Sequence, residues 1–140
     1  MTVVDTSAIV DFLLGTGVAE RVRTTLNDEG EVAAPDLLVF EVLAVVRRQA
    51  LRGELGDQRA AGAVADLGGL PLALFASLPL RDRAWALRDN LTVADALFVA
   101  LAEHLGEPLA TKDAGLARAA RAQTTIEVLE WGSGSSDIGR

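Results

Sequence analysis

The segment Asn90–Asp113, NLTVADALFVALAEHLGEPLATKD, decides the fold. It predicts a helix over Thr92–Leu105, a short strand over Pro108–Ala110 and a turn that ends at Asp113. Helices and strands also alternate along the rest of the chain, which is typical of a parallel sheet covered by helices on both faces. The sequence therefore predicts a single α/β domain with a central parallel sheet of about five strands.

Upstream of this segment, a strand at Thr2–Val4 leads into a helix that Thr6 is expected to cap. Asp36 follows Pro35 and is expected to cap a long helix that stops at Gly53. The other predicted elements are helices over 18–27, 57–67, 80–88 and 114–121, and strands over 31–34, 70–75 and 125–129. We expect one domain over 1–131 and a flexible tail, rich in glycine and serine, over 132–140.

Composition narrows the class of protein. The 140 residues allow one domain with a real core, and 50% of them are hydrophobic, as in soluble globular proteins. The absence of cysteine excludes disulfides and thiolate metal sites. Because the chain has neither a bilayer-length apolar run nor the basic start of a secretory signal, we expect a cytoplasmic protein with no membrane partner. The net charge of −7 argues against a simple nucleic-acid-binding module, but not against a nuclease whose acidic residues bind cations.

Four acidic residues occupy positions that this fold would bring to one edge of the sheet. Asp5 ends the first strand, Asp95 lies in the first turn of a helix, and Asp113 follows a strand. Each of these three has an equally good structural explanation, as a helix-terminal acid, part of a capping box or an N-cap. Glu41 has none, because its helical neighbours are apolar and Arg48 lies two turns away, while an unpaired buried carboxylate is costly.

Four carboxylates in one pocket would repel one another unless cations bind. Mg²⁺ and Mn²⁺ prefer oxygen ligands, and a carboxylate site without histidine or cysteine suggests hydrolysis of phosphodiesters. Polar side chains that are close in sequence to the four acids could hold ligands, waters or a phosphate, although each could equally be a cap or turn residue. These are Thr6, Asn90 and Thr111.

Three motifs of this chain resemble those of PIN-domain ribonucleases, in particular the toxins of VapBC-type toxin–antitoxin pairs. They are VVDTSAIVD at 3–11, PDLLVFEVL at 35–43 and the opening segment at 90–113. The resemblance runs from Val3 to about Leu129 in order and spacing. One departure is Val93-Ala94, where many members carry a tyrosine. The family's four acids would be Asp5, Glu41, Asp95 and Asp113, and its neighbouring hydroxyl and amide residues would be Asn90, Thr92 and Thr111.

The resemblance implies a metal-dependent endoribonuclease, a homodimer and a cognate antitoxin whose C-terminal segment blocks the site. The helices near Leu37–Val46 and Leu80–Leu87 carry more apolar residues than one small core readily hides, which also favours a dimer through these helices. We expect the three aspartates to bind one or two Mg²⁺ or Mn²⁺ ions, while Glu41 binds a second ion or orients a metal-bound water that attacks the phosphate. The substrate would be a structured RNA, such as a transfer or ribosomal RNA. Three arginines are candidate phosphate contacts, although simple solvation is the more common role of such residues: Arg47, Arg48 and Arg88.

Three other functions fit parts of the pattern. A haloacid-dehalogenase-like phosphatase also has an aspartate after its first strand, but Ser7 stands where its D-x-D motif needs a second acid. A receiver-type signalling domain would need paired acids at the first strand and a lysine after the last one. A PIN-like scaffold that binds RNA or a partner without cleavage would not need all four acids. His104, the only histidine, lies near a helix end and is given no catalytic role.

Overall fold

A computed structural model describes residues 1–132 and contains a five-stranded, fully parallel sheet in the order β3-β2-β1-β4-β5. The α/β fold with a central parallel sheet is thus confirmed. Of the predicted flexible tail over 132–140, only Gly132 lies within the described residues, and the domain boundary at 131 stays a prediction. The strands are β1 (Val3–Val4), β2 (Val32–Pro35), β3 (Leu72–Phe75), β4 (Leu109–Thr111) and β5 (Val128–Glu130).

Seven α-helices and one short 3-10 helix, Leu78–Leu80, connect these strands within residues 1–132. Successive residues of a strand point to opposite faces of a sheet, and in β1, β2 and β4 consecutive residues are buried. Both faces of the sheet are therefore covered. The helices are α1 (Thr6–Leu14), α2 (Ala19–Glu29), α3 (Leu37–Leu51), α4 (Asp57–Gly69), α5 (Arg81–Ala86), α6 (Val93–Leu105) and α7 (Ala114–Gln123).

One predicted helix cap is wrong. Asp5, not Thr6, caps α1, because its carboxylate accepts a hydrogen bond from the backbone N–H of Ala8. Asp36 occupies the N-cap position of α3, as predicted, but its carboxylate makes no capping hydrogen bond and instead accepts the hydroxyl of Ser77, 2.5 Å away. The helix predicted over 80–88 is also shorter than expected: a 3-10 turn precedes it, and α5 ends at Ala86.

The strand order places a topological switch point between β1 and β4. From β1 the chain builds β2 and β3 on one side, and then returns to place β4 and β5 on the other. Val3 pairs with Leu109 and Val4 with Ala110. Clefts at such switch points, beyond the carboxyl ends of the strands, are the usual ligand sites of parallel sheets. No helix among the described residues has the length and apolarity needed to span a membrane.

Candidate active site

One pocket of about 540 Å³ lies at this switch point. Asp5, which follows β1, and Asp113, which follows β4, line it together with Glu41 from α3 and Asp95 from α6. Of the three hydroxyl and amide residues singled out with them, Thr6 also lines the pocket and Thr111 contacts Asp5 directly. The fold therefore brings the four acids of the sequence motifs to one place.

Asp5 lies deepest, with only 6% of its surface exposed. Its Oδ1 accepts the backbone N–H of Ala8 at 3.1 Å and the hydroxyl of Ser7 at 3.2 Å, and its Oδ2 accepts the hydroxyl of Thr111 at 2.5 Å. Burial raises the pKa of Asp5 above its ordinary value, and the charge of Asp95 adds to that effect, although the three hydrogen bonds oppose it. Asp5 is thus an oriented carboxylate whose charged form has no ion-pair partner within residues 1–132.

Thr111 connects two of the acids. Its buried hydroxyl donates to Asp5 and accepts the backbone N–H of Asp113 at 3.0 Å. Asp113 in turn caps α7, because its Oδ1 accepts the N–H groups of Gly115 at 2.8 Å and Leu116 at 3.1 Å. The cap occupies Oδ1 only, so Oδ2 of Asp113 makes no protein hydrogen bond within residues 1–132.

The negative charges of two other acids in the pocket, Asp113 and Glu41, act on Asp95. The backbone N–H of Asp95 donates to the hydroxyl of Thr92 at 3.2 Å, as the predicted capping box requires. Burial raises the pKa of Asp95, and the negative charges of Asp113 and Glu41 raise it further. The carboxylates of Asp95, Asp113 and Glu41 therefore repel one another in the folded protein.

Glu41 has a partner that its own helix does not supply. Its Oε1 accepts the hydroxyl of Thr6 at 2.6 Å, from the start of α1. Glu41 is half-buried, and no ion pair joins it to Arg48 within the described chain. Thr6 thus orients Glu41 toward the pocket instead of capping α1.

The donor set fits a hydrated divalent cation better than a closed protein cage. Within residues 1–132, no three acidic or histidine side chains converge tightly enough to enclose an ion. Mg²⁺ usually takes one or two carboxylates and keeps several of its waters, so it needs no such cage. Asp5, Asp95 and Asp113 are the residues that could hold it, since a cation there would offset the burial and the repulsion that raise the pKa values of Asp5 and Asp95.

Asp11 and Lys112 also line the pocket, and the sequence alone did not identify either. Lys112, the only lysine, places its Nζ 2.7 Å from Oδ2 of Asp11, which is 8% exposed. The same carboxylate accepts the N–H of Val18 at 3.1 Å and the hydroxyl of Thr16 at 3.3 Å. The signal that identified Glu41 was also available for Asp11, because Asp11 is an acidic residue in a largely apolar helix.

The three arginines singled out in the sequence separate into two groups. Arg48 lines the acidic pocket, and Arg47 lines a neighbouring groove. Arg88 lines neither, because its guanidinium stacks 4.7 Å from the ring centre of Trp85 and donates to the carbonyl of Trp85. Asn90 is exposed in the turn before α6 and also lies outside the pocket lining.

Comparisons with known proteins agree with this geometry. The PIN domain family model matches residues 2–122. Ribonuclease VapC12 of Mycobacterium tuberculosis is 36% identical over 129 residues, which cover 92% of this chain and 99% of the relative. Ribonuclease VapC1 of the same species is 40% identical over 121 residues, with 84% and 89% covered. The crystal structure of PAE2754 from Pyrobaculum aerophilum has the same fold, with a TM-score of 0.68 at 20% identity over 91% of this chain and 81% of that one.

Proposed function

Since this chain belongs to the VapC-type ribonucleases of the PIN-domain family, we propose that it is a metal-dependent endoribonuclease. The observation that carries this proposal is the convergence of four carboxylates in one pocket at the sheet's switch point. Burial and mutual repulsion raise the pKa values of two of them, Asp5 and Asp95, so the pocket favours a bound cation over a set of bare charges.

In this proposal, Asp5, Asp95 and Asp113 would hold one or two Mg²⁺ or Mn²⁺ ions, and the hydroxyl of Thr111 fixes the orientation of Asp5. When bound, such an ion lowers the pKa of water and neutralises charge on the scissile phosphate. Glu41, held by Thr6, takes the proton of the attacking water. An oxygen–phosphorus bond forms in line as the bond to the ribose 3′ oxygen breaks, so the downstream product carries a 5′-phosphate.

The test is RNA cleavage by purified protein with and without divalent cations. Cleavage should require Mg²⁺ or Mn²⁺, stop with EDTA and return when the ion is restored. Activity that persists after full chelation would overturn the metal-dependent mechanism.

We further propose that the substrate is a structured RNA, such as a transfer or ribosomal RNA. Mapping the 5′-phosphate ends in cells that express the protein would identify it, and ends scattered over unstructured messages would contradict this choice.

The proposal includes an antitoxin partner, in keeping with the VapC-type relatives. A basic segment suits an acidic pocket, and an antitoxin arginine could pair bidentately with two of its carboxylates in place of the cation. Inhibition should then weaken as Mg²⁺ rises at constant ionic strength, and should fail when that arginine becomes alanine. If inhibition does not respond to Mg²⁺, the antitoxin covers the RNA path without entering the acidic pocket.

A further inference from the structure

A second groove, about 660 Å³ in volume, continues directly from the acidic pocket along α3. Phe40, Ala44 and Arg48 line both cavities, so the two form one continuous surface. Beyond them, the groove is lined by Leu43 and Leu51 and by two further arginines, Arg47 and Arg52. We call this surface the α3 groove.

The charge of the α3 groove is opposite to that of the chain as a whole. The protein carries a net charge of −7, yet the groove is lined by three arginines and by no acidic residue. Elsewhere arginines are used in ion pairs, as with Arg83 and Glu103 or Arg121 and Glu130. In the part of the chain that the structure describes, none of the three groove arginines has such a carboxylate partner.

The α3 groove also presents an aromatic face next to the proposed catalytic acid. Phe40 precedes Glu41 on α3, and 71% of its surface is exposed. Leu43 and Leu51 of the same groove are also exposed, and a contiguous exposed apolar patch is typical of a binding site. Aromatic rings stack on nucleic-acid bases, and arginines beside them bind the phosphates, which is the combination that binds single strands.

We propose that the α3 groove binds a single-stranded stretch of RNA next to the scissile phosphate. Phe40 stacks on a base, while Arg47, Arg48 and Arg52 contact the phosphates along α3. This inference rests on the proposed ribonuclease function and names the path of its substrate. The charge of the groove favours RNA over a second copy of the chain, because a two-fold contact here would bring the arginines of both copies together.

The first experiment measures binding without cleavage. A fluorescent single-stranded RNA of about ten nucleotides is titrated by anisotropy in EDTA. Phe40→Leu keeps an apolar side chain but removes the aromatic ring, and it should weaken binding about five- to one-hundred-fold. Phe40→Trp should restore binding. Val64→Ala is the control, since Val64 on α4 is also an exposed apolar residue, at 43%, but lines neither cavity, and it should bind as the wild type does.

The second experiment measures the salt dependence of the same binding. Replacing the three groove arginines by glutamine should reduce the slope of log K against log salt concentration by about two, since each phosphate contact on a single strand contributes about 0.7. Arg81→Gln, on an exposed arginine outside both cavities, should leave the slope unchanged.

The outcomes of these experiments distinguish where the RNA binds from whether the protein cleaves it. Wild-type protein that binds the RNA in a Phe40-dependent way but never cleaves it would refute the ribonuclease proposal and leave the α3 groove assignment intact. Unchanged binding in Phe40→Leu, or an unchanged salt slope in the arginine variant, would overturn the assignment. So would a Phe40→Leu variant that binds RNA normally but loses self-association or antitoxin binding, because the groove would then be a protein interface.

Discussion

At the scale of single residues, one buried hydroxyl sets the relation between two acids. Thr111 donates to Asp5 and accepts from the backbone of Asp113, so both of its hydrogen-bonding roles are used. Thr6 plays a comparable part for Glu41. Asp5 and Glu41 thus each accept a hydrogen bond from a neutral threonine that orients the carboxylate, and this allows charge and orientation to be tested separately.

Glu41→Gln should keep the fold and reduce cleavage by about one hundred-fold or more, because an amide accepts the Thr6 hydroxyl but cannot take up a proton. Cleavage rates and thermal unfolding of the pure variant measure the two effects. Thr6→Val, which keeps the carboxylate and loses only its orientation, should cause a smaller loss. If Glu41→Gln cleaves RNA as fast as the wild type, Glu41 is only a structural acid.

Asp95→Asn should raise thermal stability at neutral pH in metal-free buffer. Burial, together with the charges of Asp113 and Glu41, raises the pKa of Asp95 above the unfolded value near 3.8. The folded state therefore binds this proton more tightly, and stability falls as pH rises from about 3.8 through the raised pKa. The asparagine variant lacks this loss, so its melting temperature should depend less on pH between about 3.8 and the raised pKa of Asp95. If the melting temperature of Asp95→Asn depends on pH as strongly as that of the wild type, the prediction is wrong.

At the scale of elements, local sequence rules succeeded where the partner lies within one turn. Thr92 caps α6 and Asp113 caps α7 as their spacing suggested. The same rules did not predict the partners of the Thr6 and Asp36 side chains, because these are Glu41 and Ser77, which are distant in sequence. The edge of the sheet where the acids meet was predictable, since parallel strands share their carboxyl ends. The bonds between the acids and their partners were not, because they depend on how α1, α3 and β4 pack.

The ion pair of Lys112 with Asp11 illustrates that limit. It joins residues 101 positions apart and ties the segment that carries Thr111 and Asp113 to the turn between α1 and α2. Gly17 lies in this turn with φ of +49°, and a Cβ there would lie 2.1 Å from Oδ2 of Asp11. Only glycine therefore leaves Asp11 free to meet Lys112.

Gly17→Ala should destabilise the protein more than Gly15→Ala does. Both glycines have positive φ, which costs about 1–2 kcal/mol for alanine, but a Cβ at Gly15 would meet open space. The clash with Asp11 should add about 1–3 kcal/mol and displace Lys112, so cleavage should fall as well. Urea denaturation of the two variants gives the comparison. Equal losses of stability in the two variants would mean that Asp11 can move aside without an energetic cost. Asp11 would then not hold the segment that carries Lys112 in place.

At the scale of the whole molecule, exposed apolar side chains suggest where a second copy binds. Leu78, Trp85 and Val93 are 71%, 63% and 58% exposed, and all three lie in the segment from the 3-10 helix to the start of α6. The sequence led us to predict a homodimer through the helices near Leu37–Val46 and Leu80–Leu87. The second of these regions belongs to the exposed segment, and it lies outside the α3 groove.

We therefore expect a two-fold dimer through the Leu78–Val93 segment. Light scattering of the wild type should give the mass of two chains, and Trp85→Asp should give one, because a carboxylate cannot be buried there without a partner. Phe40→Asp serves as the control and should remain dimeric. A monomer mass for the wild type at high micromolar concentration would refute the dimer, and a monomeric Phe40→Asp would move the interface to α3.

The strand order also has a consequence for the timing of synthesis. β1 is made long before its neighbour β4, whose Thr111 follows Asp5 by 106 positions. Until then β1 has an open edge, and Asp5 lacks the hydroxyl that orients it. A nascent chain should thus be harmless to the RNA of the ribosome that makes it until β4 has left the ribosome and paired with β1. A chain stalled after Leu105 and still attached to the ribosome provides the check, because it should neither fold cooperatively nor cleave RNA.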